Sequence, residues 1–203
     1  MSSIIKVDTI QNQSGANIIS ESSNTITVGA SGDTITVPSG ATLGGAGTVD
    51  LSSATVTLND SMKMTPAFSV DLSSNQAISD QTETKLAFSD ERFDTDGAFD
   101  ASTNYRFTVP TGQGGKYFLA VQVTTNYGGT SVYARMRFYK NGSWFRNAYF
   151  GNLGVAYSHC MTDIVTLAAG DYIETYYWHN RGSNENIIAD TGTYFAGYKL
   201  IGV

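Results

Sequence analysis

The first 67 residues of this 203-residue chain contain no Phe, Tyr or Trp; the ten Phe, twelve Tyr and two Trp all lie from Phe68 onward. Aromatic side chains bury the largest areas per residue and dominate most cores. A stretch without them has little from which to build an ordinary core. The boundary therefore divides the chain into a thin, β-prone segment and an aromatic-rich globule, a stalk carrying a head.

The stalk segment is repetitive. Thr25-Ile26-Thr27-Val28 recurs nine residues later as Thr34-Ile35-Thr36-Val37, and Thr48-Val49-Asp50-Leu51 and Thr55-Val56-Thr57-Leu58 continue the theme at a spacing of seven. Each unit reads as a four-residue strand with Ile, Val or Leu on one face and Thr on the other, closed by Gly, Ser or Pro38. Two apolar side chains per strand cannot offset about 1–2 kcal/mol of backbone entropy for each residue ordered. Such repeats become stable when neighbours stack on a shared seam. Three parallel chains could bury Ile26, Val28, Ile35, Val37, Val49, Leu51, Val56 and Leu58 on one axis. A flexible Gly/Ser/Thr linker is the alternative, but a linker has no reason to place β-branched residues in register.

Bulk properties exclude several function classes. Charged residues are 15% of the chain and the net charge is −6. The excess acid divides evenly between residues 1–64 and 65–203, leaving no basic face for nucleic acid. The lone Cys160 rules out an intrachain disulfide framework and is expected to be a small buried residue of a strand. No apolar run is long enough to span a membrane. The start, Met-Ser-Ser-Ile-Ile-Lys, has no signal-peptide pattern, so synthesis without export by the general route is expected. On the same ground the Asn-x-Ser matches at Asn12, Asn59 and Asn141 carry little weight.

From residue 66 onward short alternating segments are separated by turn signals. Strands are predicted at 67–72, 85–89, 105–109, 117–124, 132–139, 144–150, 159–167, 172–178 and 193–201, with no helical stripe. This is the pattern of a sandwich or jelly roll.

Two resemblances follow from particular residues. Residues 3–19, Ser-Ile-Ile-Lys-Val-Asp-Thr-Ile-Gln-Asn-Gln-Ser-Gly-Ala-Asn-Ile-Ile, and the run Gly32 to Leu43 resemble the amino-terminal region of tail-fibre proteins of marine bacteriophages. That likeness implies virion docking through residues 1–22 and a trimeric shaft over 23–65. In the second module, Phe107-Thr108-Val109-Pro110, Gly115-Lys116-Tyr117, Phe138-Tyr139-Lys140-Asn141-Gly142, Leu167 to Asp171 and Tyr194 to Leu200 occur in the order of motifs of the complement/tumour-necrosis-factor jelly rolls. For residues 66–203 it implies a ten-stranded jelly-roll sandwich that trimerises, so the expected class is all-β: an intertwined trimeric stalk followed by a jelly-roll head. The polar, Tyr-rich strand 172–178 is unusual, and its outer face has no evident purpose.

With the entering stalk defining a base, the turns at 140–143 and 168–171 fall at the base, and those at 125–131, 151–157 and 180–192 at the tip. Loops on a rigid scaffold are where recognition usually lives. The tip carries Asn126, Tyr127, Tyr157, Arg181, Asn184, Glu185 and Asn186, a composition that stacks on sugar rings and bridges hydroxyls.

No catalytic residue is expected. His159 and His179 are the only histidines, and His159 and Cys160 must point to opposite faces of one strand. Paired carboxylates in a groove, as a glycan depolymerase needs, are not indicated on so short a shaft. Residues 90–100 gather five acids including an Asp-x-Asp-Gly. Calcium takes oxygen ligands of this kind, but its full twelve-residue loop pattern is absent. A solvated acidic loop and no cofactor are expected. The expectation is a non-enzymatic virion component: a homotrimeric fibre, bound to other virion proteins through residues 1–22, whose tip contacts a host surface glycan or protein. The alternative is a head fibre, decoration or collar protein that only registers the trimer. Neither nucleic acid nor membrane insertion is expected of either.

Overall fold

A computed structural model describes residues 9–15, 17–22, 25–28, 32, 34–37, 63–126, 133–151 and 157–201. The repeats at 48–51 and 55–58, most of the segment 1–10 and the loops 127–132 and 152–156 lie outside them. The chain divides into two compact units, residues 1–55 and 56–203.

In the first unit β1 (Thr9–Gln11), β2 (Asn17–Ser22) and β3 (Thr25–Val28) form an antiparallel meander. The β1–β2 turn is closed by Asn12, whose side-chain oxygen accepts the Ser14 N–H at 3.1 Å, and by Gly15 at φ 84°. Only Gly takes that conformation without strain. Register places Ile10 opposite Ile19 and Ile19 opposite Val28, one apolar row across three strands. That row is 44%, 37% and 48% exposed. The first predicted repeat is β3. The second, at 34–37, has no ladder partner among the described residues, and Ile35 and Val37 are exposed.

The head is a sandwich of two antiparallel sheets. Its strands are β4 (Ala67–Asp71), β5 (Gln76–Ile78), β6 (Thr84–Lys85), β7 (Asp90–Asp94), β8 (Phe99–Asp100), β9 (Arg106–Thr108) and β10 (Gly115–Thr125). They continue as β11 (Tyr133–Lys140), β12 (Ser143–Gly151), β13 (Tyr157–Leu167), β14 (Tyr172–His179), β15 (Glu185–Ile188) and β16 (Tyr194–Lys199). In the first sheet β10 is central, with β13 on one side; its other side pairs β16 and then β15, which lead on to β4–β7 and to β5. The second sheet runs β12-β11-β14-β9-β8, with β6 also on β14.

The thirteen strand segments exceed the ten expected because short strands of two to five residues complete both sheets. Two expectations are corrected. Residues 86–89 are a corner rather than a strand: Leu86 N–H reaches Thr175 of the second sheet, and Ser89 N–H reaches Asp71 of the first. A segment that switches sheets is one way a sandwich closes. Residues 90–94 are not a loop but an edge strand paired with β4, with Asp90 and Glu91 exposed and Asp94 half-buried.

The aromatics fill the space between the sheets. Phe68 stacks on Phe107 at 4.8 Å and meets Phe195 edge-on at 4.9 Å, while Phe88, Tyr117, Phe138 and Tyr177 are fully buried around them. Gly197 makes the Phe68 position possible, since a Cβ there would come within 2.9 Å of both Phe68 and Leu119.

Chain entry and exit share one end. Lys199 N–H donates to the Pro66 carbonyl at 3.1 Å, and Leu200 N–H to Lys116 at 2.8 Å. The 140–143 and 168–171 turns lie together there: Asn141, at φ 53°, bridges Asp171 (2.7 Å) and the Tyr172 N–H (2.9 Å). At the other end Thr125 pairs with Tyr157 and Ile187, and Tyr133 N–H donates to the Asn180 side chain at 2.8 Å.

Candidate recognition surfaces

The seven tip residues divide once their elements are known. Asn126 is exposed just beyond β10, and Asn184 is exposed before β15. Arg181 is half-buried and ion-paired with Glu185 one helical-turn spacing away. Glu185 and Asn186 belong to a strand, not a loop. Glu185 is buried against Arg181, and its other oxygen accepts the Asn186 N–H at 3.2 Å. Its carboxylate closes the end of the sandwich and is not presented to a ligand. Asn186 remains exposed on β15. Tyr157 opens β13 opposite Thr125, and its side chain is outside the described residues, as is Tyr127. The structure thus gathers Asn126, Asn184 and Asn186 as exposed amides at this end.

Behind the tip lies a buried titratable group. His159 is 4% exposed, with Nδ1 3.3 Å from the Tyr177 hydroxyl and its ring 4.5 Å from Phe150. Desolvation pulls its pKa down to about 4. His179 is fully buried, accompanied by the Ile78 carbonyl at 3.2 Å, and burial again lowers its pKa. Adjacent Cys160 points the other way and is exposed, which corrects the expectation of a buried thiol: among the described residues its face of β13 has no second layer over it.

The acidic segment organises the backbone. Asp94 accepts the Phe99 N–H at 2.7 Å, and Asp100 accepts the Thr103 N–H at 2.9 Å and the Asn104 amide at 2.6 Å. The Thr103 and Asn104 donors hold Asp100 well below the usual carboxylate range. Among the described residues no group of three or more His, Cys, Asp or Glu is placed to hold a metal. At the base Asp171 is held at about 2 by Lys140, Asn141 and the Ala168 N–H, a turn-closing role.

The outer faces of the two sheets differ from the tip and from each other. Register on the first sheet builds a row Ile164–Phe118–Tyr198–Ala67, with Phe118 and Tyr198 rings 5.3 Å apart. The next row is Thr162–Ala120–Ala196–Ser69–Phe93. Ile164 is 57% and Phe93 51% exposed. On the second sheet Tyr133, Arg135, Arg137 and Tyr139 of β11 lie between Trp144 and Tyr149 of β12 and Tyr176 and Trp178 of β14. Arg135 sits over Trp178 at 4.5 Å and Arg137 over Trp144 at 4.8 Å; both guanidiniums bind Glu83, at 2.6 and 3.2 Å. Arg106 covers Tyr172 at 4.0 Å, Lys85 pairs with Glu174 at 2.8 Å, and the Tyr139 and Tyr176 rings are 4.1 Å apart. The Tyr-rich strand is thus one rib of an aromatic–cation lattice.

The head has a jelly-roll fold that solved structures share. Murine APRIL superposes with a TM-score of 0.50 at 15% identity, over 66% of this chain and 98% of that one. Eiger TNF from S. frugiperda (TM-score 0.47, 9% identity, 68% and 93% covered) and the globular domain of zebrafish complement 1qA protein (0.44, 17%, 66% and 97%) are further neighbours. The likeness is one of fold. No protein-family model and no curated protein matches the chain.

Proposed function

We propose that the protein is a non-enzymatic homotrimeric fibre of a phage virion, docked through residues 1–22, with a jelly-roll head that attaches to the host surface. The observation that carries the trimer is the apolar outer face of the first sheet. An antiparallel sandwich normally turns a polar face to water on each side. Here Ile164, Phe118, Tyr198, Ala196 and Phe93 line this face, with Ile164 and Phe93 exposed, an apolar surface of the kind that serves association. The exposed Ile10–Ile19–Val28 row of the first unit asks for the same remedy. The virion role is supported by the resemblance of residues 3–43 to tail-fibre starts. The host-contact role is supported by the exposed amides at the end of the head opposite chain entry. Three weak sites on one fibre, and several fibres on one particle, multiply affinity without new contacts.

Antibody labelling of phage particles tests the reading. Label at the tail, with purified protein blocking adsorption to host cells, is the expected result. Label on the capsid without any effect on adsorption would favour a decoration protein, and unlabelled particles would end the virion assignment.

A further inference from the structure

The outer face of the second sheet is not used by the trimer patch or by the tip, yet it holds three of the most exposed aromatic rings of the head. Tyr149 is 69%, Tyr133 58% and Trp144 53% exposed. Tyr133 lies across Gly151, where a Cβ would meet its ring at 3.2 Å, so the glycine keeps that ring flat on the edge strand. Trp144 is level with Tyr139, and Tyr149 with Arg135. At about 3.4 Å per residue the three rings are spread over roughly 20 Å of strand. A compact metabolite cannot touch all three, whereas an extended chain can.

The rings are separated by polar groups. Arg137 and Asn147 lie between the levels of Trp144 and Tyr149, Arg135 lies beside Tyr149, and the two guanidiniums share the single carboxylate of Glu83. The central patch is therefore positive on a chain whose net charge is −6. Protein interfaces also enrich Tyr, Trp and Arg, but around a closed centre; here the rings are strung along roughly 20 Å of strand with a polar row between them. Alternating rings and guanidiniums instead match a polymer with flat C–H faces and anionic edges. Rings stack on the faces, and the planar guanidinium fork fits carboxylates.

We infer that this face binds an extended oligosaccharide carrying carboxylates, stacked on Trp144, Tyr149 and Tyr133 with its acid groups toward Arg135 and Arg137. This rests on the attachment reading and adds to the tip a recognition site on the side of the head.

Both tryptophans of the chain, Trp144 and Trp178, lie on this face. Their emission therefore reports occupancy here and not at the tip. Titrating the full chain with hexameric oligogalacturonate should change that emission saturably, and the binding should weaken as salt screens the guanidiniums. Tyr149→Ala, an exposed position that the fold does not need, should weaken binding about tenfold, while Asn184→Ala at the tip leaves it unchanged. Maltohexaose, a neutral chain of the same length, should not bind. The inference is overturned by no emission change at millimolar hexamer, by equal binding of maltohexaose, or by loss in Asn184→Ala but not in Tyr149→Ala. It is also overturned if Tyr149→Ala lowers the sedimentation mass, for then a second copy of the chain covers the face. Failure to bind with an unchanged oligomer refutes the glycan site alone. A monomeric wild type would refute the trimer reading alone.

Discussion

The two units place the same residue types in opposite circumstances. In residues 1–55 Ile10, Ile19 and Val28 line one face of a three-stranded sheet and are 44%, 37% and 48% exposed; in the head Val70, Ile78, Val121 and Ile187 occupy the same kind of period-two position and are fully buried. The alternation is equally good in both. The difference is a second layer. The head carries its own, filled by Phe68, Phe107, Phe138 and Phe195, whereas the aromatic-free unit shows none among its described residues. A β-sheet becomes a core only when something covers it. A chain can supply that cover itself or take it from copies of itself.

The comparison breaks most readily at the largest side chains. Phe68→Ala and Phe195→Ala should each destabilise the head by about 3–5 kcal/mol, by transfer plus cavity. Ile26→Ala, at a position 69% exposed, should move the head by less than about 0.5 kcal/mol. Denaturant unfolding followed by tryptophan emission reads the head alone, since both Trp lie there. Equal effects would mean that the two units share one core.

Acid should distinguish the units next. His159 is neutral in the fold with a pKa near 4 against an ordinary 6.5, and residues 1–55 contain no histidine. The unfolded chain takes up that proton first as pH falls. The contribution of His159 is therefore complete above pH 6.5 and is lost between 6.5 and 4, a change on the order of 3 kcal/mol. The buried His179 shifts in the same direction. Asp171 acts in a lower window, its stabilisation being lost as pH falls from 3.8 toward 2. Unfolding midpoints measured from pH 7 to 4 should decline, and His159→Gln should flatten the decline. A flat wild-type profile would contradict the burial assigned to this ring.

The last change within the head is the most local. Gly197→Ala places a methyl 2.9 Å from Phe68 and Leu119, which should cost about 1–3 kcal/mol by overpacking. An unchanged midpoint would mean that the core around Phe68 has slack.

The long strands of the head were legible because alternation is strong where one face is core: Tyr117, Leu119, Val121 and Val123 against Lys116, Phe118, Ala120 and Gln122. The short strands were not. Asp90–Asp94 is an edge strand exposed along most of its length, and Glu185–Ile188 opens with two polar residues that read as loop. Both are held by pairing, which composition does not report. The aromatic–cation face was missed for a related reason. Tyr133, Arg135, Arg137 and Tyr139 alternate visibly with buried Ala134, Met136 and Phe138. Their neighbours on β12, however, depend on a hairpin whose register shifts between Phe138 and Tyr139, and those on β14 come from a strand distant in the chain. Reading the outward positions of 133–139 and 172–178 as one set was the available signal. Glu185 was placed among the recognition residues because a charged side chain in a turn-rich segment is usually solvated; its burial depends on Arg181 four residues earlier.

That the first unit and the outer face of the first sheet are covered by other copies of the same chain is the central claim. Sedimentation equilibrium of the full-length protein at micromolar concentration tests it most directly. A species of three times 21.8 kDa, falling to the monomer in a Phe118→Asp/Ile164→Asp variant whose unfolding midpoint is unchanged, is the predicted result. A wild-type mass of 21.8 kDa would contradict it.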